Sequence, residues 1–178
     1  MKNIYYLVMT GILLMLPGCQ AKEAGQPVIY KGPLNEGENI ETSYIEKNSL
    51  KVKMQAKKIL QMQNGDQDFP EGIYLEFYDE VGNITSTLQA NEAYQFKDEN
   101  KWRGRGNVVI KNIEKEQQLN TEELFWSPGT KQISTEKFVT IKTPDETIYG
   151  VGMEAKQDLS DYKILDPKGV INTSETAD

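Results

Sequence analysis

Apolar and polar residues alternate one by one along much of this chain. Val52, Met54 and Ala56 alternate with Lys51, Lys53 and Lys57, and Ile73, Leu75 and Phe77 alternate with Tyr74, Glu76 and Tyr78. A period of two places successive side chains on opposite faces of a strand. The Lys and Gln content of Ser49–Met62 would also suit a helix, but its alternation has strand period. After the turn signal Asp79-Glu80-Val81-Gly82-Asn83, Ile84 to Phe96 reads as one long strand. Trp102, Gly104, Gly106, Val108 and Ile110 share a face, opposite Arg103, Arg105, Asn107 and Lys111. Further strands are predicted over 119–126, 131–134, 137–142, 147–155 and 162–165. The turns between them are Ser127-Pro128-Gly129 and Thr143-Pro144-Asp145, and Asp166-Pro167-Lys168-Gly169 ends the last strand. No segment has convincing helix period. Regular turns between short amphipathic strands predict an all-β fold: an antiparallel sandwich, jelly roll or rolled sheet.

A short phrase recurs within this pattern. It reads Leu88-Gln-Ala90-Asn-Glu-Ala93-Tyr94, then Leu119-Asn-Thr121-Glu-Glu-Leu124-Phe125, then Ile133-Ser-Thr135-Glu-Lys-Phe138-Val139. A looser copy is Ile148-Tyr-Gly150-Val-Gly152-Met153. The step between copies holds one strand and one turn, too little for a helical hairpin repeat. The third position is always small. Small residues there imply close sheet packing or a bend, or else room between two sheet faces.

The N-terminus carries an address. Lys2 precedes the run Ile4 to Leu16, which is apolar except for Thr10. As a helix that run would be roughly 20 Å long, short of a bilayer core of about 30 Å, so residues 1–18 read as a signal peptide. Leu16-Pro17-Gly18-Cys19 is similar to a bacterial lipobox, which makes Cys19 the expected lipidation site and membrane anchor. Cys19 is also the only cysteine, so no internal disulfide can form. Gly25, Pro27, Gly32, Pro33 and Gly37 mark residues 19–42 as a flexible tether. The folded domain is expected over 43–171, with a disordered tail over 172–178.

Composition narrows the function. The net charge of −7 repels phosphates and argues against nucleic acid as a partner. With no histidine the usual general base is missing, and the one cysteine is assigned to lipid, so no catalytic residue is expected. Asp66, Asp68, Glu71, Asp79 and Glu80 lack the spacing of a calcium loop and read as solvated turns. Gly104 and Gly106 lie in a strand pattern, not in a phosphate loop. Neither a metal nor a cofactor is expected. Lys51, Lys53, Lys57, Lys58, Arg103 and Arg105 read as solvated strand faces that discourage edge aggregation.

The ordered motifs resemble a known family. Leu88-x-Ala90-x-x-Ala93-Tyr94, Trp102 with Gly106-x-Val108, and Leu119-x-Thr121-x-x-Leu124-x-Trp126 carry the first part. Ile133-x-Thr135-x-x-Phe138-Val139-x-Ile141 and Ile148-x-Gly150-x-Gly152 carry the rest. From about Tyr44 to Val170 the chain is similar to the LptC family. The resemblance implies a twisted β-jelly roll in the periplasm that takes lipopolysaccharide from an inner-membrane ABC transporter complex. It would pass the lipid to a soluble periplasmic β-jelly-roll carrier, joined by edge-strand pairing. Many members keep a transmembrane helix where this chain has a lipobox; the family favours the inner membrane, and the outer membrane is the alternative. An apolar groove for lipid A is expected between the sheets. Its predicted lining is Val52, Met54, Leu75, Phe77, Leu88, Ala90, Leu119, Ile133, Phe138, Val139, Ile141, Ile148 and Gly150. Which of Phe138 and Val139 points inward depends on whether a bulge follows Thr135. The other reading is a cell-envelope lipoprotein that binds glycan or a protein partner, for which Tyr74, Tyr78 and Tyr149 offer outward aromatics.

Overall fold

The structure, a computed structural model, describes residues 30–172. The expected signal segment, Cys19 and the last six residues of the expected tail lie outside the described residues. The described strands are β1 (Asn35–Glu46), β2 (Ser49–Gln61), β3 (Gln67–Phe69), β4 (Ile73–Tyr78), β5 (Ile84–Ala90) and β6 (Glu92–Phe96). They continue with β7 (Lys101–Asn112), β8 (Gln117–Ser127), β9 (Gln132–Lys142), β10 (Glu146–Lys156) and β11 (Tyr162–Asn172). All pairings are antiparallel and belong to one sheet, so the all-β expectation holds. β3 and β4 lie end to end along β2, and β6 and β5 lie end to end along β7. The path is therefore one continuous meander whose edges are β1 and β11.

The strand interruptions fall on one line. They are the gap between Phe69 and Ile73, Asn91 between β5 and β6, and Gly106-Asn107 in β7. The line continues through register shifts between β8 and β9 at Thr121/Phe125 and between β9 and β10 at Val151/Met153. Gly72, Gly106, Asn107 and Gly152 on this line have φ of 88°, 70°, 48° and 73°. A bulge bends its strand, and bulges aligned on neighbouring strands bend the whole sheet. One half-sheet contains β4, β5 and the adjoining halves of the long strands; the other contains β3, β6 and the remaining halves. The two face each other. Phe77 on β4 meets Trp126 on the far half of β8 edge-on, with ring centroids 5.4 Å apart.

The recurring phrase encodes this bend. Ala90, Thr121, Thr135 and Gly150, its small third positions, all flank the line. The Thr121 hydroxyl donates to the Phe138 carbonyl at 2.9 Å, and the Thr135 hydroxyl donates to the Glu123 carbonyl. These hydroxyls partner carbonyls beside the register shifts, and a buried carbonyl needs such a partner. Gly150 is small for another reason: a Cβ there would run into Ile164 and the Asp166 carbonyl on β11.

Four expectations about the strands need correction. The predicted tether becomes β1 from Asn35 onward. β1 has almost no buried side chain, so it shows no apolar alternation; backbone pairing and the ion pairs Lys53–Glu41 (3.1 Å) and Lys58–Glu36 (3.2 Å) align it on β2. The long strand over 84–96 breaks at Asn91, whose N–H turns to the Gly106 carbonyl at 2.9 Å. The segments 131–134 and 137–142 form one strand, β9, with a bulge between them. Finally, Asp166-Pro167-Lys168-Gly169 lies within β11, and Asn172 closes that strand rather than opening the tail. Proline lacks a ladder donor, and an edge strand tolerates that.

Candidate functional site: the seam between the half-sheets

Most of the predicted lining shares one face. In register across the sheet, Met54 faces Leu75, Leu75 faces Leu88, Leu88 faces Ile110, and Ile110 faces Leu119. Leu119 faces Ile141, Ile141 faces Ile148, and Ile148 faces Val170. This apolar row crosses the sheet from β2 to the β11 edge without a polar member. Its centre is fully buried, whereas Val170 at the edge is 54% exposed. Val52 pairs with Phe77, Ala90 with Ile73 and Val139 with Gly150 on the same face. Val52 and Ile148 are half-buried.

Phe138 is the exception. β9 carries one more residue than either neighbour between Thr135 and Val139, so a bulge does follow Thr135. Val139 then points inward and is fully buried, while Phe138 is 51% exposed and stacks on Tyr149 outside the seam. The opposite wall was mostly missed. Apart from Ile133, the predicted lining belongs to the β4/β5 half. Facing it are Phe69, Trp102, Leu124, Trp126 and Met153 from the β3/β6 half, all packed in the same cluster. Trp102 stacks on Phe69 at 5.4 Å and sits 6.0 Å from Trp126. The sequence signal was present: Trp102 and Trp126 are the only tryptophans, and both lie on apolar faces.

The seam is closed. The space left between its walls, lined by Leu75, Leu88, Trp102 and Trp126 among others, is about 10 Å³, room for at most one water. Side chains thus fill what was expected as an open groove. The mouth, on the side away from the bend, is clasped by two turns. Asn112, in the β7–β8 turn region, donates to the Asp158 carbonyl at 2.6 Å, and the Lys115 ammonium donates to the Ser160 carbonyl at 3.4 Å. Leu159, at the tip of the β10–β11 turn, is 1% exposed. The Trp126 indole N–H donates to the Gln157 side-chain oxygen at 2.9 Å. Ser86 pairs with both Phe77 and Asn112, and its fully buried hydroxyl has no hydrogen-bond partner among the described residues. Such a group costs about 1–3 kcal/mol.

Charged groups lie outside the seam. Lys51, Lys53 and Lys58 are engaged in ion pairs with Glu80, Glu41 and Glu36, and Arg105 pairs with Glu123. Arg103 lies over the rings of Tyr94 and Phe96. Exposed pairs of this kind contribute about 0–1 kcal/mol each. The Asp66 oxygens are taken by the Lys97 N–H, the Tyr94 hydroxyl and the Asn64 amide; the first of these chiefly holds its carboxyl below the usual range. Asp79 accepts from Val81 and Asn83 in its own turn. Among the described residues no group of three or more His, Cys, Asp or Glu side chains could hold a metal.

The outer face has a different character. Glu41, Gln55, Tyr74 and Gln89 are in register across four strands and line an open cleft of about 810 Å³ beside the bend. Tyr78 is engaged: its hydroxyl donates to Glu76 at 2.6 Å, which pushes its pKa up to about 12.

Among the described residues no helix is long and apolar enough to cross a membrane. No curated protein matches the sequence. Residues 35–170 match the family described as Lipopolysaccharide-assembly, LptC-related, a span that begins at the first residue of β1 and ends within β11. A single antiparallel sheet bent over an apolar seam, matched over nearly its whole length, places the chain in the LptC-related family, whose members serve lipopolysaccharide transport in the periplasmic envelope.

Proposed function

We propose that this protein shields the acyl chains of lipopolysaccharide in its seam and passes them on along the sheet. The observation that supports this reading is the unbroken apolar row from Met54 to Val170, which reaches an exposed edge. The row crosses the strands, so an acyl chain lying along it travels from one edge of the sheet toward the other. Burial yields about 0.8 kcal/mol per CH₂, so a chain of about a dozen carbons gains roughly 10 kcal/mol. The hydrogen bonds that clasp the mouth contribute about 0.5–1.5 kcal/mol each. An acyl chain between the walls keeps both inner faces covered, so the closed seam is compatible with loading.

Among the described residues each edge strand pairs on one side only. A free edge is a template for a further strand. One edge would dock the inner-membrane transporter complex and the other the soluble carrier, joining their seams into one path. Lipidation at Cys19 would hold the domain at the membrane. The test compares lipopolysaccharide with the same molecule stripped of its acyl chains, each incubated with the purified full chain and followed by native mass spectrometry. The intact form binds and the stripped form does not. Equal binding of both would overturn the reading and favour the alternative, a glycan held in the Tyr74 cleft on the outer face.

A further inference from the structure

We propose that the β10–β11 turn, with Leu159 at its tip, is a gate whose release parts the walls so that acyl chains can enter the seam. The inference rests on the carrier reading and adds where and how the seam opens. The two half-sheets have one continuous junction and one free side. At the junction the backbone runs through, and the threonine hydroxyls and the Asn91 N–H partner the carbonyls there. Separation therefore has to occur at the mouth. There the halves are clasped by side chain to backbone bonds, Asn112 to the Asp158 carbonyl and Lys115 to the Ser160 carbonyl.

Three features suit the turn to open. Leu159 sits at φ 55°, a left-handed conformation that is an outlier for a bulky side chain. It is held there while its side chain plugs the core, and release of the plug frees the backbone. The buried Ser86 hydroxyl, in register with Asn112, has no partner among the described residues when the mouth is shut, so opening leaves no protein hydrogen bond of this group to break. Trp126 links the gate to the seam: its N–H holds Gln157 of the turn, and its ring meets Phe77 on the opposite wall. Moving the turn thus loosens the contact between the walls.

Trp102 and Trp126 report the state of the gate, since the chain has no other tryptophan and both belong to the seam cluster. The experiment uses the full chain in two forms. In the first, Asn112→Ala with Leu159→Ala unclasps the mouth. Quenching of tryptophan fluorescence by acrylamide is expected to rise several-fold over the wild type while the circular dichroism stays that of a sheet. In the second, Lys115→Cys with Ser160→Cys is bridged by a short bis-maleimide, and each single variant is treated alike as control. A brominated fatty-acyl amphiphile should quench the unbridged protein and not the bridged one. Unchanged acrylamide access in the unclasped variant would overturn the gate, whatever the protein carries. Equal quenching of bridged and unbridged protein would also overturn it, because acyl chains would then enter without release of the turn. If acrylamide access responds but the amphiphile quenches no form, the carrier reading fails and the acyl gate falls with it.

Discussion

The bend and the mouth of the seam are built from opposite materials. At the bend the backbone runs through, and Thr121 and Thr135 cap carbonyls beside the bulges. At the mouth no strand crosses, and the halves meet through Asn112, Lys115, the ring contact of Trp126 with Phe77 and one leucine. The first region is a hinge because it is covalently whole and its polar groups are satisfied. The second is a clasp because it is made of few bonds and leaves the Ser86 hydroxyl without a partner among the described residues. A sheet bent in this way can keep its fold while its two faces part.

Substitutions should separate the regions by size of effect. Leu119→Ala, at the fully buried centre of the row that both regions enclose, should cost about 2–5 kcal/mol in denaturant unfolding. Thr135→Val strands the Glu123 carbonyl at the bend and should cost about 1–3 kcal/mol, again in global unfolding. Asn112→Ala at the mouth should cost only about 1 kcal/mol. Its signature is local: hydrogen exchange should speed up in the 157–161 turn before it does elsewhere. A Thr135→Val loss confined to the bend, or an Asn112→Ala loss as large as that of Leu119→Ala, would erase the distinction.

The smallest effect is one of pH. Burial raises the Asp158 carboxyl, but the hydrogen bonds from the Ser160 backbone and hydroxyl outweigh it and hold the group below the usual carboxylate range. A depressed pKa contributes stability above the unfolded value of about 3.9 and loses it as pH falls through the folded value. The protection factor of the Ser160 amide, its exchange relative to that of the unfolded chain at the same pH, should therefore be flat near neutrality and fall only below about pH 4. A loss of protection beginning near neutrality would assign the turn's stability to some other group.

The two regions were unequally legible in the sequence. Alternation identified β2, β4 and β8 and one wall of the seam, because a half-buried strand shows its burial residue by residue. The edge strand β1 was unreadable, since its side chains are exposed on both faces and its pairing is carried by the backbone. The repeated phrase pointed to small residues, but whether they marked a bend or ligand space turned on bulges that no period reveals. The same bulge decided Phe138 against Val139. The second wall was hidden because contact across a seam, as between Phe77 and Trp126, depends on how far the sheet bends. The closure of the groove by side chains followed from that bend too.

The central claim is that acyl chains occupy the inner face of the bent sheet. Placing a photo-crosslinking amino acid in turn at Leu119, inside the seam, and at Phe138, the next strand's outward neighbour, tests it in cells exporting lipopolysaccharide. Adducts from Leu119 and none from Phe138 are the expected result. Adducts from Phe138 alone, or from neither position in folded protein, would contradict the account.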